Sequence, residues 1–333
     1  MTKKDNNFYD LVNYIELLIQ NEKNINPDIK YLDVTHSKLI AQIISNYNLQ
    51  NNKNINPENP IMIFLGAPTG AGKDILVRKI MSENKEKSFV VLNMDIFRYY
   101  HNEISKNHEY ISDKNFAKTT NQTSYELYYI IQKIILEKYP NTNVIVTGTI
   151  RDLNWVKNII KTYKDNNLSH YQISLVTLAV PIVESAFSIY ERYLTLVSAR
   201  GNSNSPLRYT ELEYHNDTVK EFIQNIRFFE ADLSTNHETG LINSIKVYCR
   251  NKDIANVTEN NLIYDSTNSF NSGKASDIIE KIMLSNADIS SARINNLSNI
   301  ILNNKQYLEK QELYETIILE LKKIIPDFNN SQF

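Results

Sequence analysis

Cysteine is almost absent from this chain: Cys249 stands alone among 333 residues. A single cysteine excludes an intramolecular disulfide and any cysteine-based zinc cage, and it fits a reducing compartment. An excess of positive charge is lacking as well. The formal net charge is −2 and no basic run occurs, which argues against nucleic acid as an obligatory partner. No apolar stretch approaches the length of a membrane span. Residues 1–10, MTKKDNNFYD, lack the apolar core of a signal peptide. The expectation is a cytoplasmic protein with no nucleic-acid or membrane partner. An ordinary apolar fraction, 42%, allows a buried core, and the abundance of Asn, Ile, Lys and Tyr reads as codon bias.

What is present centres on residues 61–80, IMIFLGAPTGAGKDILVRKI. Residues 61–65 read as a buried strand, followed by a glycine-containing turn, Gly72-Lys73 and an amphipathic helix. That is the layout of a Walker A nucleotide site. Glycines let backbone N–H groups approach phosphate oxygens, the helix N-terminus adds its positive dipole end, and the lysine reaches the β- and γ-phosphates. The expected cradle is Ala67, Pro68, Thr69, Gly70, Ala71, Gly72, Lys73 and Asp74, with ATP and Mg²⁺ as its ligands. Two positions depart from the strict pattern. Ala67 stands at the first glycine. Asp74 stands where a hydroxyl would ligate Mg²⁺; its carboxylate also suits that hard cation but sets a negative charge beside the phosphates. The competing reading is a glycine-rich turn with no ligand.

Helical spacing marks residues 8–22, and a second helix is expected over 33–49, starting near Thr35 or Ser37. The pentapeptide KNINP occurs at 23–27 and 53–57, and both copies read as linkers. From Pro60 onward, candidate strands at 61–65, 89–93, 144–147, 172–180 and 244–249 alternate with helices at about 74–84, 123–138, 152–165, 183–198 and 217–230. This predicts an α/β fold: a P-loop kinase-like parallel sheet flanked by helices, with ligands at the carboxyl ends of the strands. Beyond about residue 269 the pattern is helical. The expected organisation is an N-terminal helical region (1–57), a P-loop domain (58–268) and a C-terminal helical extension (269–333).

The strand ends supply the remaining candidates. Asp95 comes just after the second strand and suits a Mg²⁺ ligand, a base for a substrate hydroxyl, or a helix N-cap. Thr147, Thr149 and Arg151 stand at the end of the third. After the fourth come Arg192 and, beyond a glycine- and serine-rich segment at 200–206, Arg208. Arginines on a mobile flap stabilise charge on a transferring phosphoryl group; Arg192 and Arg208 flank this flap and Arg200 is the rival within it. His215 reads as structural, and Glu126 alone reads as first-turn helix chemistry.

Together these segments resemble the zeta toxin family, the kinase half of epsilon/zeta toxin–antitoxin systems, over about residues 58–265. Residues 67–73, APTGAGK, resemble GPxGAGK, and 93–98, NMDIFR, resemble the segment of the catalytic Asp. Residues 144–151, VIVTGTIR, resemble VIEGTxR. The most specific likeness is 179–193, AVPIVESAFSIYERY, with AVP, a helix and ERY in register. Arg208, Thr210 and His215 resemble RxT…H, and 240–249 with 262–264 resemble the final strands. The resemblance implies ATP-dependent phosphorylation of a UDP-linked N-acetylamino sugar. Lys73 would hold phosphates, Asp95 act as base, and Arg192 and Arg208 neutralise the γ-phosphate. Glu126, Thr147, Thr149 and Arg151 would meet the small-molecule substrate, and a small helical antitoxin would cover the nucleotide site. Thr147 stands where the family has a substrate-binding Glu, which changes what the pocket accepts. The helix at 8–22 and the tail beyond 269 read as packing elements rather than an antitoxin in cis. Two readings stay open: a kinase acting on a sugar nucleotide or another small-molecule hydroxyl, and a catalytically degenerate ATP-binding interaction protein.

Overall fold

Aliphatic runs separated by amphipathic stretches assemble into one sheet covered on both faces. The computed structural model describes residues 3–47, 49, 59–105, 111–166, 170–200, 206–235, 240–250, 262–268, 273–326 and 328. In chain order the elements are α1 (Lys3–Ile25), α2 (Ser37–Asn46), β1 (Ile61–Gly66), α3 (Lys73–Glu83), β2 (Phe89–Asn93), α4 (Met94–Phe97), α5 (His101–Ser105), α6 (Asp113–Thr119), α7 (Asn121–Lys138), β3 (Asn143–Gly148), α8 (Leu153–Lys164), β4 (Gln172–Ala179), α9 (Ile182–Ala199), α10 (Leu212–Thr235), β5 (Ser244–Cys249), β6 (Leu262–Asp265), α11 (Ala275–Met283), α12 (Ser291–Asn303), α13 (Lys305–Lys310) and α14 (Tyr314–Ile324). The second KNINP copy, at 53–57, and the centre of the expected flap, 201–205, lie outside the described residues.

The sheet order is β2-β3-β1-β4-β5-β6. β1 pairs in parallel with β3 on one side and β4 on the other, so the strand order reverses at β1. The crevice beyond its carboxyl end is therefore the topological switch point, where α/β sheets bind ligands. The expected P-loop kinase-like sheet, with helical segments before and after it, is the observed architecture. One expectation changes. The sheet is not wholly parallel: β6 runs antiparallel to β5, with a register shift between Val247 and Tyr248. An ion pair of 3.1 Å from Lys246 to Asp265 ties this edge.

Alternation along β1 explains why its sequence is continuously apolar. Met62 and Phe64 join one core cluster, Ile63 and Leu65 the opposite one. The first cluster takes in Ile15 and Ile19 of α1 and Ile40 and Ile44 of α2 together with Ile131 of α7. The second packs Leu76, Val77 and Ile80 of α3 against the other face. A third cluster lies apart from the sheet and joins α9 to α12–α14. No described helix is long and apolar enough to cross a membrane.

Candidate active site

The loop between β1 and α3 is shaped by two glycines. Gly70 (φ +80°) and Gly72 (φ +93°) are left-handed, which side chains tolerate poorly. A Cβ on Gly70 would also strike the Ser185 carbonyl of α9. Gly72 is the N-cap of α3, so the helix N-terminus opens onto the loop. Ala67 is fully buried in the core, and its N–H reaches the Gly148 carbonyl at 3.3 Å. The tight steric demand falls one residue earlier, where a Cβ on Gly66 would collide with Ile150. An alanine at position 67 thus fits this loop as built. Lys73 Nζ donates to the carbonyls of Ala67 (2.9 Å) and Pro68 (3.2 Å). Thr69 is buried, and its Oγ1 has no hydrogen-bond partner. A curled lysine, an orphaned hydroxyl and a cradle that side chains would fill together fit a polyphosphate.

Asp95 lies in α4, the single turn after β2. Asn93 caps that turn, accepting from the Asp95 N–H at 3.0 Å, so the Asp95 side chain is not spent on capping. Its Oδ1 accepts from Arg98 Nε at 3.2 Å, and its Oδ2 pairs with the Arg208 guanidinium. Arg98 is itself fixed by the Ala117 carbonyl (2.6 Å), Thr120 Oγ1 (3.3 Å) and Asn121 Oδ1 (3.2 Å). Burial alone would push the Asp95 carboxyl up, but Arg208, Arg98 and Lys73 outweigh it and hold it below the usual range. Lys73 is pushed down to about 8, mainly by burial, with Arg208 and Arg192 adding to the effect. Arg192 lies on α9 within the fields of Arg208, Asp95 and Asp74. Asp74 is exposed in the first turn of α3. The cleft thus gathers Lys73, Arg98, Arg192 and Arg208 around Asp95 and Asp74. Positive charge is in excess, which draws in an anion.

The end of β3 forms another wall. Thr147 is buried, in register with Leu65 of β1 and Asn93 of β2, and Thr149 is half-buried. Next, Ile150 adopts φ +53°, an outlier for a β-branched residue. Asn225 of α10 holds the strained turn, donating to the carbonyls of Ile150 (2.7 Å) and Arg151 (2.9 Å). The Arg151 guanidinium lies over the Tyr214 ring at 4.4 Å.

Two candidates are placed elsewhere. Glu126 is fully buried, and both its oxygens are taken. Oε1 accepts from Lys30 N–H (2.8 Å) and Gln122 Nε2 (2.9 Å), Oε2 from Tyr31 N–H (2.9 Å) and Leu32 N–H (2.8 Å). The structure gives this carboxylate to the loop before α2, not to the cleft. Glu126→Ala should therefore cost about 3 kcal/mol of stability, because buried N–H groups lose their acceptor. Urea denaturation would show a lower midpoint at unchanged slope; unchanged stability with lost activity would return Glu126 to the substrate. Arg200 also turns away: its guanidinium meets Tyr307 and lies 4.0 Å from Asp113. His215 is fully buried and bonds Ser185 Oγ at 2.9 Å, bracing α9 where it closes over Gly70.

The zeta toxin family model matches residues 46–268, most of the chain. The chain belongs to the zeta toxin family. Its fold is similar to that of the PezAT chromosomal toxin–antitoxin system of Streptococcus pneumoniae, at 19% identity and a TM-score of 0.57, over 85% of this chain and 97% of that one. It is also similar to AvrRxo1-ORF1:-ORF2 solved with ATP, at 13% identity and a TM-score of 0.50, over 90% and 88% of the respective chains. At these identities the likeness is one of fold. No curated protein matches the sequence significantly. Zeta toxin membership carries the coarse reading of an ATP-dependent kinase of the toxin class.

Two residues to which sequence reasoning gave no role join this cluster in the zeta toxin fold. Arg98 was visible as the i+3 neighbour of Asp95 on one helical turn. Arg250, just beyond β5, stood at a strand end like Asp95, but only the fold shows which elements it ties. Its guanidinium reaches the Gly70 carbonyl (3.4 Å), Ser188 Oγ (3.2 Å) and Glu184 (3.6 Å), tying the phosphate loop to α9.

Proposed function

We propose that this protein transfers the γ-phosphoryl group of ATP to a hydroxyl of a sugar nucleotide such as UDP-N-acetylglucosamine. The observation that carries the reading is the convergence of Asp95 with Lys73, Arg192 and Arg208 at the switch point of the sheet. In this reading residues 67–74 bind the nucleotide phosphates, and Lys73 exchanges its loop carbonyls for phosphate oxygens. Arg192 and Arg208 stabilise charge on the equatorial oxygens. Asp95, oriented by Arg98, accepts the acceptor proton. When a phosphate competes for Arg208, Asp95 loses its strongest counter-charge and becomes a better base. Thr147, Thr149 and Arg151 meet the acceptor. A hydroxyl at 147 both donates and accepts, so it holds a sugar hydroxyl more loosely than a carboxylate would.

Asp74 is the residue that would hold Mg²⁺. The described residues offer no cluster of three His, Cys, Asp or Glu, and one hard oxygen fits an ion bound chiefly by phosphates and waters. When bound, Mg²⁺ neutralises charge on the β- and γ-phosphates. A small helical antitoxin is the proposed protein partner, supported by the similarity to a toxin–antitoxin structure.

The test incubates purified protein with ATP, Mg²⁺ and a panel of UDP-sugars and nucleotides, and quantifies phosphorylated product. A phosphorylated UDP-sugar is expected; ATP binding without product across the panel would favour the interaction-protein reading. Asp74→Ser should keep or raise activity, since a hydroxyl can ligate Mg²⁺ without adding negative charge. Complete loss of nucleotide binding in that variant would assign Asp74 a structural role instead.

A further inference from the structure

Arg208 lies in the irregular segment at 206–211, which has no helix or strand to hold it. Its neighbours on both sides are held by carboxylates instead. Upstream, the Leu207 N–H donates to Asp113 Oδ1 at 2.8 Å. Asp113 is braced in turn by the C-terminal helices: its N–H donates to Gln311 Oε1 (3.1 Å), and its Oδ2 accepts from Tyr307 (2.6 Å). Downstream, Glu320 of α14 accepts from the Leu212 N–H (3.0 Å), from the Tyr209 hydroxyl and from the Tyr190 hydroxyl of α9 (2.9 Å). Tyr190 and Tyr209 are both buried. Glu320 is half-buried, yet it gathers three donors; a helix that merely packs would present an apolar residue there, because withdrawing a carboxylate from water is costly unless its oxygens are satisfied.

The helix that carries Arg192 is held similarly. Arg293 of α12 forks onto Glu184 (2.9 and 3.0 Å) and Glu191 (3.0 and 2.7 Å), spanning two turns of α9. All of these C-terminal anchors lie beyond residue 268, where the family match ends.

We propose that α12–α14 form a positioning clamp for the arginines of the site, in which Glu320 is the positioning residue for Arg208 and Arg293 that for Arg192. The inference rests on the proposed function, in which these arginines address the terminal phosphate of ATP. Residues at α12–α14 touch neither phosphate nor acceptor; they act by fixing where the guanidiniums stand.

The decisive quantity is the preference for ATP over ADP, measured as the ratio of dissociation constants for the full-length protein, Arg208→Ala, Glu320→Ala and the double variant. Both single variants should lose about tenfold of that preference, the scale of one charge-assisted bond to phosphate. The double variant should lose no more than Arg208→Ala, since Glu320 acts through Arg208. A role in stability alone would lower the melting temperature and leave the ratio unmoved. Should Glu320→Ala fail to fold, Glu320→Gln and Tyr209→Phe carry the same comparison with the packing kept. A wild-type ratio in the Glu320 variants, additive losses in the double variant, or a wild-type protein that binds ATP and ADP alike would overturn the clamp. Failure of the kinase reading is separate: it appears as absence of phosphorylated product, whatever the ratio does.

Discussion

Asp95→Asn is expected to lower kcat by about a thousandfold, within the range of a lost general base, and to leave the KM for ATP unchanged or lower. Asparagine keeps the shape of the side chain and an oxygen for Arg98, whose Nε lies 3.2 Å from Asp95 Oδ1. It removes the proton acceptor and the negative partner of Arg208. The cleft becomes more positive, so a polyphosphate binds at least as well. A fall in kcat without a rise in KM marks an interaction needed only for transfer. Steady-state kinetics with product quantified directly would check the split. Activity within tenfold of wild type would remove Asp95 from the role of base. Asp95 is held below its ordinary range, so its charge stabilises the fold above the unfolded carboxylate value and that contribution fades as pH falls through the folded value. The variant should lose this acid-range dependence.

The parts of this site legible in the sequence are those written in consecutive residues. A strand, two left-handed glycines and a helix N-terminus occupy one short stretch, and each has a local physical cause. Asp95 and the residues after β3 were legible for a related reason: each stands just beyond an apolar strand, and a parallel sheet delivers its strand ends to one edge. Contacts made across long stretches of sequence were not legible. Glu126 looks like any first-turn glutamate until the 30–32 amides appear around it, 94 to 96 residues away in sequence. The antiparallel direction of β6 is likewise not written in its composition. The segment bearing Arg208 was expected as one rim of a mobile flap. Its flanks are instead pinned by Asp113 and Glu320, residues that no local pattern distinguishes from surface carboxylates.

ATP affinity is expected to fall as pH rises through about 8, the value to which Lys73 is lowered from its ordinary 10.5. Burial dominates that shift, and Arg208 and Arg192 add to it, while Asp95 and Asp74 oppose it. Below pH 8 the ammonium is charged and, in the proposed reading, would meet phosphate oxygens. Above it the neutral amine offers no counter-charge, and kcat/KM for ATP should drop by up to about tenfold per pH unit, as for any single required proton. The limb should be weaker in kcat, because a bound polyphosphate favours the charged amine and lifts its pKa. Stability moves the other way: between about 8 and 10.5 the unfolded chain holds this proton and the folded chain does not, so the fold gains from rising pH. Two variants separate this lysine from other groups. Lys73→Met should bind ATP about a hundredfold more weakly at pH 7 and lose the alkaline limb, as expected when a desolvated, hydrogen-bonded charge is removed. Arg208→Ala removes a cation from beside Lys73 and should move the limb to higher pH. A flat wild-type kcat/KM between pH 7 and 9.5 would show that the Lys73 charge does not govern ATP capture.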